Sequence, residues 1–79
     1  MTTKTPKPQV KVDARVVLGH RVRSLRIEAN MTQQALADRC KFFRTYLSRI
    51  EHGTANATVT VLAALAVALN VEIGDLFNG

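Results

Sequence analysis

The stretch TQQALADRCKFFRTYLSRIEHG, residues 32–53, predicts two short helices joined by a tight turn. Thr32 is a suitable N-cap for the first helix because its hydroxyl oxygen can accept a hydrogen bond from a free backbone N–H. Gly53 is placed to end the second helix, since glycine adopts the left-handed conformation that follows a helix at little cost. The positions expected to face inward are Leu36, Ala37, Cys40, Leu47 and Ile50. Two helices with this spacing form a helix-turn-helix unit.

Three further helical segments flank this unit. The first runs from an N-cap near Asp13 to about residue 30, and its inward stripe is Leu18, Val22 and Leu25. The fourth covers about residues 59–69 behind an N-cap at Thr58, and its broad apolar face is Val59, Leu62, Leu65, Ala66 and Leu69. A last short helix is expected at about residues 73–77. The sequence therefore predicts an all-α fold of five helices, with the helix-turn-helix at helices two and three.

The length of 79 residues fits one small domain. A chain this short buries only about 60% of its unfolded surface, so dimerisation would add stability. The single cysteine, Cys40, excludes an intrachain disulfide and is typical of a reducing interior, where it would be a small buried hydrophobe. No apolar run approaches the roughly 20 residues of a membrane span. We expect a cytoplasmic protein with no membrane partner.

The charges are unevenly distributed along the chain. Residues 1–49 hold all eleven Lys and Arg and three acidic residues, a balance of +8, whereas residues 50–79 hold three acidic residues and a balance of −3. A basic front and a slightly acidic back indicate an anionic partner on one side, or alternatively a solvated surface.

Residues 1–12, MTTKTPKPQVKV, predict a flexible basic arm that precedes the domain at 13–79. The arm could follow the phosphate backbone or enter a minor groove of DNA. The alternative is a disordered end that only improves solubility.

Five groups of residues resemble the Cro/phage-repressor type of helix-turn-helix domain. They are Leu18-Gly19-x-Arg21-Val22-Arg23-x-Leu25-Arg26, Met31-Thr32-Gln33-x-x-Leu36-Ala37, Tyr46-Leu47-Ser48-x-Ile50-Glu51-x-Gly53, Leu62-x-x-Leu65-Ala66-x-Ala68-Leu69 and Leu76-Phe77. The resemblance implies a lambda-repressor-like fold and a homodimeric, sequence-specific, DNA-binding transcription regulator on a two-fold symmetric operator. Residues 44–48, RTYLS, are most similar to the controller proteins of restriction–modification systems. Phage-type repressors and antitoxins share the same residues.

The outward face of helix three is the candidate surface for base readout. Its residues are Arg44, Thr45, Ser48 and Arg49. Arginine can pair bidentately with guanine O6 and N7, and threonine can offer its hydroxyl or its methyl group. The N-terminus of this helix penetrates the major groove most deeply in helix-turn-helix complexes. The alternative for these residues is a solvated basic face.

Contacts with the DNA backbone are expected from residues around this face: Gln33, Tyr46, Arg23 and Asn56. Gln33 lies in the first turn of helix two, where free N–H groups and the helix dipole favour a phosphate. In the resembled family this glutamine contacts the DNA backbone and braces the reading helix.

Arg26 borders the core by its spacing from Val22 and Leu25. The family places an arginine at this position against a glutamate at the position of Glu51. We therefore expect a partly buried Arg26–Glu51 ion pair that joins helix one to helix three and has a structural role.

The turn Lys41-Phe42-Phe43 departs from the family pattern of glycine, an aliphatic residue and serine. Phe42 can fill the aliphatic site. Lys41 would need a left-handed conformation, and Phe43 cannot cap helix three; each departure costs about 1 kcal/mol. Phe43 could contact a sugar or a thymine methyl group, or it could pack on the arm.

The C-terminal residues Val71, Ile73, Leu76 and Phe77 form more apolar surface than one small domain can bury. The resemblance implies that this end forms the two-fold dimer contact. The monomeric alternative folds them onto helices one and four.

The sequence contains no phosphate-cradling glycine loop and no nucleophile–His–acid set, and His20 and His52 have no partner at metal-ligand spacing. We expect no enzymatic activity, no metal and no cofactor. The expected partners are double-stranded DNA, a second copy of the chain and, for an activator, RNA polymerase. The alternative function is a protein-interaction module that has lost specific DNA binding.

Overall fold

The computed structural model describes residues 13–78, which contain four α-helices and no β-strand. The helices are α1 (Ala14–Glu28), α2 (Gln33–Cys40), α3 (Arg44–Glu51) and α4 (Val59–Leu69). The expected N-terminal arm, residues 1–12, lies outside the described residues. None of the described helices is long and apolar enough to cross a membrane.

The expected fifth α-helix is only one turn of 3₁₀ helix, Ile73–Leu76. Its backbone bonds span three residues, since the Asp75 N–H donates to the Glu72 carbonyl and the Phe77 N–H to the Gly74 carbonyl. Four residues are too few to offset the cost of starting an α-helix, and short connecting turns of this kind adopt the tighter form. Residues 13–78 are therefore all-α, with four α-helices rather than five.

Local side chains and left-handed residues set the helix boundaries. The side chains of Asp13, Thr32 and Thr58 each accept a hydrogen bond from a backbone N–H in the first turn of the helix that follows. The left-handed conformation predicted for Lys41 is confirmed, with a φ of 60° directly after α2. Asn70 ends α4 in the same way, at a φ of 57°.

The core lies where the inward faces of all four helices meet. Its fully buried large side chains are Val22, Leu36, Leu47, Ile50, Leu65 and Leu76. The expectation that Val59 joins this core is wrong, because Val59 is the first residue of α4 and 76% exposed. Cys40 is buried with its Sγ 3.7 Å from the Ala64 carbonyl oxygen, and burial raises the pKa of its thiol.

Helices α1 and α3 are in close contact at Gly19. A Cβ atom at this position would lie 2.5 Å from the carbonyl oxygen of Ile50 and 2.6 Å from that of Glu51. Only glycine allows the two backbones to approach this closely. This contact fixes where α3 lies on the domain.

Candidate nucleic-acid interface

Helix α3 has one buried face and one exposed face. Leu47 and Ile50 are buried in the core. On the other face, Arg44, Thr45 and Arg49 are exposed and Ser48 is half-buried. The four residues predicted for base readout therefore share one short helix with its apolar side anchored in the core, an arrangement that holds their backbone rigidly.

A chain of hydrogen bonds connects the C-terminal end of this helix to its exposed face. The Arg26 guanidinium donates from Nε to Glu51 Oε2 at 2.7 Å and from Nη2 to Oε1 at 3.0 Å. Gln33 Nε2 also donates to Glu51 Oε1, at 3.1 Å, and Gln33 Oε1 accepts from Arg44 Nη1 at 3.2 Å. Three side chains, one each from α1, α2 and α3, thus position the first arginine of the exposed face.

The Arg26–Glu51 pair is shielded from solvent. Its side chains are 12% and 3% exposed, and Arg26 Nη1 also donates to the Met31 carbonyl at 2.9 Å. The hydrogen bonds to Glu51 raise the pKa of Arg26 above its ordinary value, so the guanidinium stays charged. The pair joins α1, the connection that follows it and the last residue of α3.

The residues predicted for DNA-backbone contacts are distributed over α1, α2, α3 and the loop after α3. Gln33 is half-buried and lies at the N-terminus of α2, bonded to Arg44 and Glu51. Tyr46 is half-buried against Phe42, with an edge-to-face geometry and 5.3 Å between ring centroids. Arg23 on α1 and Asn56 in the loop after α3 are exposed, and neither makes a side-chain hydrogen bond within residues 13–78.

The predicted dimer contact needs one correction. Ile73 and Phe77 are 43% and 38% exposed, and Val71 is half-buried. Leu76, however, is fully buried inside the protomer, because the 3₁₀ turn directs it into the core beside α4. Its side chain is not available to a partner. Val67 in the last turn of α4 is 81% exposed and was not predicted to contribute.

Two features of the structure were missed by sequence reasoning. The close approach at Gly19 has one sequence signal, which is a glycine inside a predicted helix. Because glycine lowers the stability of a helix, its presence there indicates a close packing contact. The exposure of Val67 has no such signal, since valine next to a broad apolar stripe is more often buried. Among the described residues, no group of three or more His, Cys, Asp or Glu side chains could hold a metal ion.

Comparisons with known proteins agree with this geometry. A family described as a helix-turn-helix domain matches residues 17–77. The sequence is 38% identical over 65 residues to the control protein C.BamHI of Bacillus amyloliquefaciens, covering 81% of this chain and 80% of that protein.

Two solved structures are similar to the fold. The restriction–modification controller protein C.AhdI from Aeromonas hydrophila has a TM-score of 0.78 and 33% identity, over 80% of this chain and 96% of its own. The controller protein C.Esp1396I, solved as a tetramer in complex with its natural 35 base-pair operator, has a TM-score of 0.75 and 28% identity, over 85% of this chain and 88% of its own.

Proposed function

Since this chain belongs to the helix-turn-helix family, in its Cro/phage-repressor type, we propose that it binds double-stranded DNA at specific sequences and regulates transcription. The observation that carries the proposal is the exposed face of α3. Arg44, Thr45 and Arg49 are held there in solvent by a helix whose opposite side is fully buried. Base recognition requires side chains of this kind on a rigid helix that fits the major groove.

The proposed complex places the N-terminus of α3 in the major groove. Arg44 and Arg49 would pair with guanine O6 and N7, and Thr45 and Ser48 would contact neighbouring base edges. Arg23, Gln33, Tyr46 and Asn56 would contact phosphates and fix the orientation of the domain on the duplex. Arg44 reaches the DNA already positioned by Gln33, so part of its side-chain entropy is lost before binding.

The proposed binding unit is a homodimer on a two-fold symmetric operator, with its reading helices about 34 Å apart in successive major grooves. The exposed side chains of Ile73 and Phe77 support a contact between two copies at the C-terminal end. Similarity to C.BamHI and C.AhdI supports control of a restriction–modification operon, including the protein's own gene. If it activates transcription, RNA polymerase is a further partner. The proposed DNA target favours a cytoplasmic location.

The test is selection of bound duplexes from a random DNA pool at physiological salt. We expect recovery of a two-fold symmetric site whose half-sites are centred about one helical turn apart. Recovery of duplexes without a common sequence, with binding that only follows salt concentration, would contradict the proposal. The protein-interaction module would then be the better description.

The Arg44→Ala variant tests the assignment of base readout. We expect it to bind the selected site about 1–3 kcal/mol more weakly and to lose its preference at one base position of each half-site. Arg23→Ala is the matched control, since it removes an exposed arginine proposed to contact phosphate. It should weaken binding to all sequences equally. An Arg44→Ala variant with the wild-type sequence preference would show that Arg44 does not contact a base.

A further inference from the structure

Phe43 is the most exposed large hydrophobic residue in the described part of the chain, at 84%. It is the N-cap residue of α3, directly before Arg44 and Thr45. The other phenylalanine of this turn, Phe42, packs against the Tyr46 ring and the core. The two adjacent rings therefore have different environments, and only the ring of Phe43 projects into solvent beside the proposed DNA-binding face.

The local structure gains nothing from a phenylalanine at this position. α3 has no side-chain cap, whereas α1, α2 and α4 each have an Asp or Thr that accepts a backbone N–H. A serine, threonine, asparagine or aspartate at Phe43 would supply that missing hydrogen bond. An exposed ring that replaces a helix cap indicates a contact outside the protomer.

The position of Phe43 identifies the chemistry of that contact. The N-terminal residues of the second helix of a helix-turn-helix approach the base edges in the major groove. The apolar group that base pairs present there is the C5-methyl group of thymine. A C5-methyl group occupies the same place on 5-methylcytosine.

We propose that Phe43 packs on the C5-methyl group of one pyrimidine in each half-site, so that the protein distinguishes methylated from unmethylated pyrimidines. The inference rests on the proposed function, because it requires α3 to lie in the major groove. Removing one methyl group from water is worth about a fourfold change in affinity for each half-site. Thymine would be preferred to uracil at this position, and 5-methylcytosine to cytosine, by similar factors.

The test compares duplexes of the selected operator that differ at one pyrimidine in each half-site. A scan first replaces each thymine in turn by uracil, which removes only the methyl group. At the position found, four duplexes carry thymine, uracil, cytosine or 5-methylcytosine, each with its complementary purine. For the wild-type protein we expect thymine over uracil, and 5-methylcytosine over cytosine, by about fourfold for each half-site.

Two variants connect this preference to the ring. Phe43→Ala removes the ring, and Phe43→Ser removes it while supplying a helix cap, so a loss of preference in both is not an effect of folding. Both should bind the members of each pair within about 1.5-fold, well below the value of one buried methyl group. Val59→Ala is the control, since Val59 is 76% exposed on α4, and it should keep the wild-type ratios.

The possible failures are distinguishable. A symmetric operator at which every thymine can be replaced by uracil without loss would overturn the role of Phe43 and leave the proposed function standing. Phe43 variants that bind all four duplexes more weakly by one common factor would place the ring on a sugar and overturn the methyl contact. Recovery of no specific site would overturn the inference together with the proposed function.

Discussion

At the scale of single residues, Gly19 shows how close two helices come in this domain. The Cβ of any other residue would lie 2.5 Å from the Ile50 carbonyl oxygen and 2.6 Å from that of Glu51. Both oxygens belong to the backbone of α3, so neither can rotate away as a side chain would. The distance between α1 and the proposed reading helix is therefore set by the absence of a side chain.

We expect Gly19→Ala to destabilise the domain by about 1–3 kcal/mol, because α3 must move to admit the methyl group. The higher helix propensity of alanine, worth about 1 kcal/mol, opposes this change without cancelling it. Urea unfolding followed by circular dichroism measures the difference. Gly74→Ala is the matched control, since a Cβ there would meet nothing closer than Asn78 Nδ2 at 3.8 Å. A Gly19→Ala variant as stable as the wild type would show that α3 shifts at no cost.

At the scale of helices, the Arg26–Glu51 pair holds α1 and α3 together beside that contact. Glu51 accepts hydrogen bonds from both Arg26 and Gln33, so one carboxylate joins three helices. Breaking a buried pair is expensive because the remaining ion keeps its desolvation penalty and loses its partner. The pair is thus a condition for the orientation of α3 as well as for stability.

We expect Glu51→Gln to lower the free energy of unfolding by about 3 kcal/mol, since the Arg26 charge would remain largely buried without a carboxylate. The exposed pair of Asp13 and Arg15 provides the control, with side chains 44% and 45% exposed. Asp13→Asn removes that ion pair and keeps an oxygen to cap α1, so the urea midpoint should barely change. Equal effects of the two substitutions would show that burial adds nothing to the Arg26–Glu51 pair.

The helix boundaries could be predicted from the sequence because they depend on local chemistry. Thr32 and Thr58 cap α2 and α4, as the residue types and their spacing indicated. The left-handed conformation of Lys41 was implied by the glycine that the resembled family has at this position. The proximity of Arg26 and Glu51 followed from a resemblance to known domains rather than from spacing alone. These features require knowledge of only a few neighbouring residues or of one related fold.

The errors concern features that depend on tertiary packing. Val59 was expected in the core and Leu76 at a surface, and the structure has the opposite arrangement. Along α4, whose sequence is apolar almost all round, periodicity cannot determine which side faces inward. The fifth helix is a 3₁₀ turn because a segment of four residues is too short to offset the cost of starting an α-helix.

At the scale of the whole molecule, the proposed dimer depends on apolar surface at the C-terminal end. We expect Ile73→Asp to leave the protomer folded, because Ile73 is 43% exposed, and to shift sedimentation equilibrium from dimer to monomer. Affinity for the two-fold symmetric site should fall as the dimer dissociates, since each protomer would then bind one half-site alone. Val59→Asp introduces the same charge at a residue 76% exposed on the other end of α4 and should leave the dimer intact. If both variants dimerise like the wild type, the contact lies elsewhere.

The uneven distribution of charge leads us to a further prediction at the scale of the whole molecule, which concerns the salt dependence of DNA binding. A protein that neutralises phosphates releases bound cations, so the logarithm of its affinity falls linearly with the logarithm of salt concentration. The slope counts phosphate contacts rather than net charge. Two arginines that carry the same charge should therefore affect it differently if only one of them touches DNA.

Arg23 and Arg39 form such a pair. Arg23 is exposed on α1 and proposed to contact phosphate, whereas Arg39 on α2 donates to the Ala68 carbonyl of α4 at 3.4 Å and is not proposed to contact DNA. Arg23→Gln should reduce the magnitude of the salt slope by about 0.9 for each protomer, the value of one lost phosphate contact. Arg39→Gln should leave the slope unchanged, although it lowers the net charge by the same amount.

The affinity for the selected operator is measured between about 50 and 200 mM salt, a range wide enough to determine each slope. Equal changes in the two variants would mean that the basic half of the chain attracts DNA only through its overall field, and the assignment of Arg23 would be wrong.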